Sequence, residues 1–160
     1  MKNELSRGDE IYGDEVFKVL LGYEVSRSER YPAPLSMLHI EMTPTGLYEA
    51  DLMTASRIFT TALNAHLRSV DIPCGAGREF KVLLPTTNEA GLRSVCERIL
   101  SVFRNKFTTP DGKSIAFSLN IGAVSHNGGG LISPTTLLEK AETALKHSKH
   151  KGPNVYIIYS

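Results

Sequence analysis

No run of apolar residues in this 160-residue chain approaches the length that crosses a bilayer, and residues 1–15 are too polar for a signal peptide. Charge of one sign is missing too: 18 basic side chains face 17 acidic ones, a net charge of +1. That balance gives no long-range field for a nucleic acid polymer or an anionic membrane, so an anionic ligand must be held by a few placed cations. Cysteine is scarce. Cys74 and Cys96 show neither CxxC nor His/Cys metal spacing and read as free thiols of a reduced, cytoplasmic protein. There is no internal repeat and no low-complexity block. What is present is 41% apolar and 22% charged residues, enough for one globular domain with a proper core.

Residues 1–9 are polar and read as a linker or helix entrance, with the domain running from 10 to 160. Phe17, Leu20, Leu21 and Val25 recur at helical spacing until Tyr31-Pro32-Ala33-Pro34 stops them. Leu35–Met42 reads as a buried strand, and Thr43-Pro44-Thr45-Gly46 as a turn. A second helix, from about Tyr48 to Leu67, puts Leu52, Ala55, Ile58, Phe59, Ala62 and Leu63 on one stripe. Cys74–Arg78 is a glycine-rich turn, and Glu79–Leu84 the strand after it, within a hairpin. A third helix over about Asn88–Arg104 is expected, with Thr87 or Asn88 as N-cap, and then a strand over Ser114–Val124. Ser133-Pro134 opens a fourth helix, Gly152-Pro153 ends it, and Val155–Tyr159 is a last strand. The order α-β-α-β-β-α-β-α-β predicts an α+β fold, a central sheet covered by helices.

Four segments in the second half resemble one family. Glu79-Phe80-Lys81-Val82-Leu83-Leu84-Pro85-Thr86-Thr87 is similar to an E-F-x-V-L-L-P-x-T strand, and Glu97-Arg98-Ile99 to an A-E-R-I helix. Asn120-Ile121-Gly122 stands where S-I-G usually stands. Leu137-Leu138, Ala141-Glu142, Ala144-Leu145, Lys149, Gly152 and Asn154 follow the pattern L-L-x-x-A-D-x-A-L-Y-x-A-K-x-x-G-x-N. Together, in order and spacing, they resemble the GGDEF family, whose active members condense two GTP into cyclic di-GMP. The resemblance implies a mostly antiparallel sheet flanked by helices, the nucleotide-cyclase, ferredoxin-like arrangement.

Against that family the chemistry is altered. The signature hairpin R-Y-G-G-D/E-E-F is matched by Cys74-Gly75-Ala76-Gly77-Arg78-Glu79-Phe80, one residue short, with Arg78 where an acid stands. That acid helps hold Mg²⁺, a hard cation that takes oxygen ligands and that a guanidinium repels. His39, in His39-Ile40-Glu41-Met42, takes the place of the metal aspartate, and the guanine-reading loop has no counterpart in Thr43–Asp51. Lys149 remains as a possible phosphate contact. Phosphoryl transfer rests on positioning and on metal neutralisation of charge, so the expectation is no cyclase activity, no metal and no required cofactor. A second family feature persists. The inhibitory site R-x-x-D is matched by Arg68-Ser69-Val70-Asp71, within R-S-V-D-I-P-C, as in PleD-type members, and Arg98 falls at the second arginine with Arg93 near it. The resemblance implies a cyclic di-GMP receptor that signals through a protein partner or as a homodimer. The arginines would pair with or stack on guanine, and Asp71 would accept from its N1–H.

Ordinary readings stand beside these. Arg68 and Asp71 suit a solvated i,i+3 ion pair, and Arg98 suits a pair with Glu97 or Glu89. His39 suits a hydrogen-bonded, partly buried strand histidine, Glu79 a structural role, and the basic run His147–Lys151 a helix terminus. An interaction module without nucleotide and a GTP-binding regulatory pseudo-cyclase are the alternatives for the whole chain.

Overall fold

The computed structural model describes residues 10–46 and 51–160. The proposed linker at 1–9 and the start of the second helix at 48–50 lie outside the described residues. The elements are α1 (Asp14–Arg30), β1 (Leu35–Thr45), α2 (Leu52–Ala65), β2 (Ile72–Ala76), β3 (Glu79–Pro85), α3 (Glu89–Val102), β4 (Phe107–Thr108), β5 (Ser114–His126), α4 (Pro134–Lys151) and β6 (Val155–Ile158). The strands form one sheet in the order β2-β3-β1-β5-β4, and β6 joins β5 as its parallel partner. Every other pairing is antiparallel.

β1 lies centrally and is buried on both faces over Leu35–Ile40, which is why apolar residues there do not simply alternate with polar ones. Leu38, Ile40 and Met42 join the core beneath α2 and α3, where Phe59, Phe80, Phe103 and Phe117 pack with centroids 4.5–5.7 Å apart. Leu35 and Met37 point the other way, to a second core under α1 and α4 with Phe17, Leu21 and Ala141. Gly122 explains the third motif. A Cβ there would lie 2.2 Å from the backbone nitrogen of Leu145, so only glycine lets α4 approach β5 this closely.

Three expectations are corrected. β1 does not turn at Thr43 but runs on to Thr45, paired with β5 alone beyond Glu41. Met42 N–H points to the β3 side, where it donates to the Arg78 carbonyl at 2.8 Å, so Pro44 turns its missing donor to that same side after β3 has ended. Cys74–Ala76 is strand rather than turn, leaving a two-residue hairpin loop of Gly77 and Arg78 with Gly77 at φ 61°. The two-residue β4, pairing Phe107 with Ile115, is too short to register in a periodicity reading. The helix starts follow the sequence: the side chains of Asn88 and Ser133 accept from the amides of Gly91 and Thr136.

Candidate ligand-binding site

α2 ends where its apolar stripe ends, and the chain turns through Arg68–Asp71 into β2. Ile72 and Cys74 are drawn into the core under α1, and they take Asp71 below the surface, its side chain 2% exposed. A carboxylate so placed needs donors. The Arg68 amide donates to Oδ2 at 2.7 Å, and the Arg68 guanidinium donates to Oδ1 from Nε at 3.1 Å and Nη2 at 2.7 Å. The same Nη2 reaches the Pro85 carbonyl at 2.8 Å and Thr87 Oγ1 at 2.9 Å. Thr87 Oγ1 donates its own proton to the Pro85 carbonyl at 3.1 Å, so toward Arg68 it is an acceptor. The guanidinium is thus held along one edge, while the side chain as a whole stays 47% exposed.

This differs from a solvated ion pair, because one partner is buried. The carboxylate expected to accept from guanine is 2% exposed and takes its hydrogen bonds from Arg68.

Arg98 comes to the same seam from the other side. Its Nη2 donates to the His66 carbonyl at 3.1 Å, at the C-terminus of α2, instead of pairing with Glu97 or Glu89. Arg68 therefore reaches from the end of α2 to the entrance of α3, and Arg98 reaches from α3 back to the end of α2. Arg93 does not join them. Five residues along a helix is about 140° of rotation, and Arg93 faces Glu89 at 3.3 Å and Tyr156 of β6, whose hydroxyl donates to Glu97. A groove of about 430 Å³ lined by Arg27, Tyr31, Val70, Pro85 and Thr86 adjoins the Arg68 turn.

At the far end of β3 stand the residues that the resemblance sets at the family's metal-binding positions. His39 is 6% exposed, and its Nδ1 has no hydrogen-bond partner among the described residues. Its Nε2 lies 3.7 Å from Glu79 Oε1, beyond hydrogen-bond range. The expected hydrogen-bonded, partly buried histidine is therefore a buried and poorly satisfied one. Burial first, and Lys81 opposite it in the β1–β3 register second, hold its pKa below the usual 6.5. Arg78 is exposed at the hairpin tip, and its carbonyl is bound by Met42. Lys149 donates to Glu41 Oε2 at 2.9 Å, so it is paired with β1 rather than standing clear for a phosphate. A cavity of about 310 Å³ beside His39, Glu79 and Lys81 brings both charge signs together. A wider one, about 530 Å³, lies between Gly75–Gly77 and Ser56, Arg57 and Thr60 of α2. Burial pushes the Cys74 and Cys96 thiols up to about 11 and about 12, so both stay protonated and unreactive at neutral pH.

The acceptors of Arg68 and Arg98 were not evident from the sequence. Thr87 stood out there only as a possible N-cap, a role that Asn88 takes; the available signal was its place in P-x-T.

A family model described as "Diguanylate cyclase, GGDEF domain" matches residues 56–155, more than half of the chain. The response regulator PleD of Caulobacter vibrioides is 29% identical over 106 residues, covering 63% of this chain and 23% of PleD. The chain thus spans about a quarter of the curated relative it matches. Among solved structures, the GGDEF domain of YfiN (TpbB) from Pseudomonas aeruginosa superposes with a TM-score of 0.84 at 20% identity, covering 95% of this chain and 98% of that one. The GGDEF domain of DgcB from Caulobacter crescentus, in complex with c-di-GMP, gives 0.80 at 15% identity over 99% and 93%. The diguanylate cyclase SiaD of Pseudomonas aeruginosa, in complex with its activator SiaC, gives 0.77 at 18% identity over 98% and 61%.

Proposed function

The chain belongs to the GGDEF domain family, and on that premise we propose that it is a catalytically silent member acting as a cyclic di-GMP receptor. Arg68 and Arg98 are the ligand contacts and Asp71 the group that orients Arg68. The observation that carries this reading is the convergence of the two arginines on the α2–α3 seam, one of them held along an edge and still half-exposed. Guanine offers a π-face to such a guanidinium, and the ligand's phosphates attract both cations. DgcB, which shares the fold, is a c-di-GMP complex, and that supports the ligand class.

Silence in catalysis follows from the other end of β3. An imidazole and a guanidinium replace two hard-oxygen ligands, and Lys81 adds positive charge beside His39. A cation bridging a triphosphate would meet repulsion there. The output is a protein–protein contact in the bacterial cytoplasm, in keeping with the SiaD–SiaC assembly of a relative in fold. No metal or cofactor is needed for it.

The test is calorimetric titration with cyclic di-GMP, repeated with Arg68→Ala, beside an assay for cyclic di-GMP formation from GTP and Mg²⁺. Micromolar binding lost in the variant, with no product formed, is the expected pair of results. Absence of heat and of thermal shift would remove the receptor reading, and product formation would remove the silence. The 530 Å³ cavity beside Gly75–Gly77 favours a second reading, a regulatory GTP site. GTP affinity indifferent to Arg68→Ala would establish it.

A further inference from the structure

The P-x-T at the end of β3 lies at the opposite end of the strand from the hairpin. Pro85 and Thr87 both accept from one atom, Arg68 Nη2, the first through its carbonyl at 2.8 Å and the second through its hydroxyl at 2.9 Å. With Asp71 Oδ1 at 2.7 Å, three acceptors surround a nitrogen that bears two protons, which restrains the rotation of the guanidinium. Thr87 is itself fixed. It is buried, its carbonyl accepts from Ser36 Oγ at 2.6 Å, and Ser36 lies 3.0 Å from Ser125 Oγ. The Ser36 hydroxyl is the donor in both contacts, closer to the Thr87 carbonyl than to Ser125 Oγ. A buried chain thus runs from β5 through β1 to Thr87 and out to Arg68.

We propose that Thr87 is a positioning residue for the ligand-binding arginine: the P-x-T turn is the receptor that sets the Arg68 guanidinium plane, and the Ser125–Ser36 pair sets the turn. The proposal rests on the reading of Arg68 as a cyclic di-GMP contact. A neutral hydroxyl suits this task. It accepts from the guanidinium without adding a second negative charge to the one Asp71 already supplies. The intervening Thr86 holds φ 50°, a backbone conformation rarely adopted outside glycine, and this aims Pro85 O and Thr87 Oγ1 at one point.

The experiment compares the unsubstituted protein with Thr87→Val and Thr87→Ser. Valine keeps the shape and deletes the acceptor; serine restores it. Cyclic di-GMP affinity should fall on the order of tenfold in Thr87→Val, the scale of one hydrogen bond to a charged group, and return to within about twofold in Thr87→Ser. In parallel, NMR of ¹⁵N-arginine should show hindered rotation of the Arg68 guanidinium in the unsubstituted and serine proteins and averaged Nη signals in the valine variant. General loss of packing would not be repaired by serine in both readouts. Binding that Thr87→Val leaves unchanged overturns the positioning role alone. Failure of the unsubstituted protein to bind overturns the receptor reading, and positioning for a ligand with it.

Discussion

Strand β3 joins two charged regions that are satisfied in opposite ways. At its Glu79 end, His39 is buried, its Nδ1 has no hydrogen-bond partner among the described residues and its Nε2 lies 3.7 Å from Glu79 Oε1. At its Pro85 end, one guanidinium donates to Asp71, Pro85 and Thr87 within 3.1 Å. A buried polar group without a partner costs free energy, and one with several defines a geometry. The contrast teaches where the fold fixes a charged group: the Pro85 end holds a guanidinium in one geometry, while the Glu79 end buries an imidazole without matching its polar atoms.

The largest break in that comparison should come from Arg68→Ala. Stripping the guanidinium from a nearly buried carboxylate should lower stability by about 2 kcal/mol, read by urea denaturation, and abolish cyclic di-GMP binding. An unaltered denaturation midpoint would show that the network at the Pro85 end is no tighter than the other.

Next comes the pH dependence of the Glu79 end. His39 has a depressed pKa in the folded protein, so the unfolded chain binds its proton at higher pH than the native one does. Stability therefore rises with pH through this window. It is fully present above the unfolded value of 6.5 and is lost as pH falls from there toward the folded value. Replacing His39 by Met should flatten the stability slope between about pH 5 and 7. An unchanged slope would mean that His39 titrates as it does in the unfolded chain.

Arg98→Ala removes one exposed hydrogen bond to the end of α2. Its stability cost should be about 0.5 kcal/mol, while ligand affinity falls several-fold. Arg93→Ala gives the smallest effect, within about 0.5 kcal/mol of the parent and without change in ligand affinity. If Arg93→Ala weakened binding as much as Arg98→Ala, the two flanks of α3 would not be functionally distinct.

Much of this molecule was legible in its residues. The stripes of α2 and α3, the Ser133-Pro134 start of α4 and the burial of β1 over Leu35–Ile40 follow from periodicity and capping, which are local. The run of β1 through Pro44 was not legible, since a proline is tolerated there only because β3 has ended on that side. Nor was the hairpin, where Gly75 looks like a turn residue but is a strand residue that Phe80 crowds too closely for a side chain. At the candidate site, Arg68 and Asp71 were visible as a motif and Arg98 as their companion by family pattern, yet their different depths were hidden. Depth comes from packing.

By itself the sequence determined the alternation of helix and strand and the membership of the GGDEF family. These depend on residue type, order and spacing, all of which a linear chain carries. Only the tertiary structure decided that Asp71 is buried, that Arg98 rather than Arg93 meets the end of α2, and that Pro85 and Thr87 converge on one nitrogen of Arg68. Those facts join residues separated by 17 to 32 positions, and such contacts exist only after the sheet has brought the ends of its strands together.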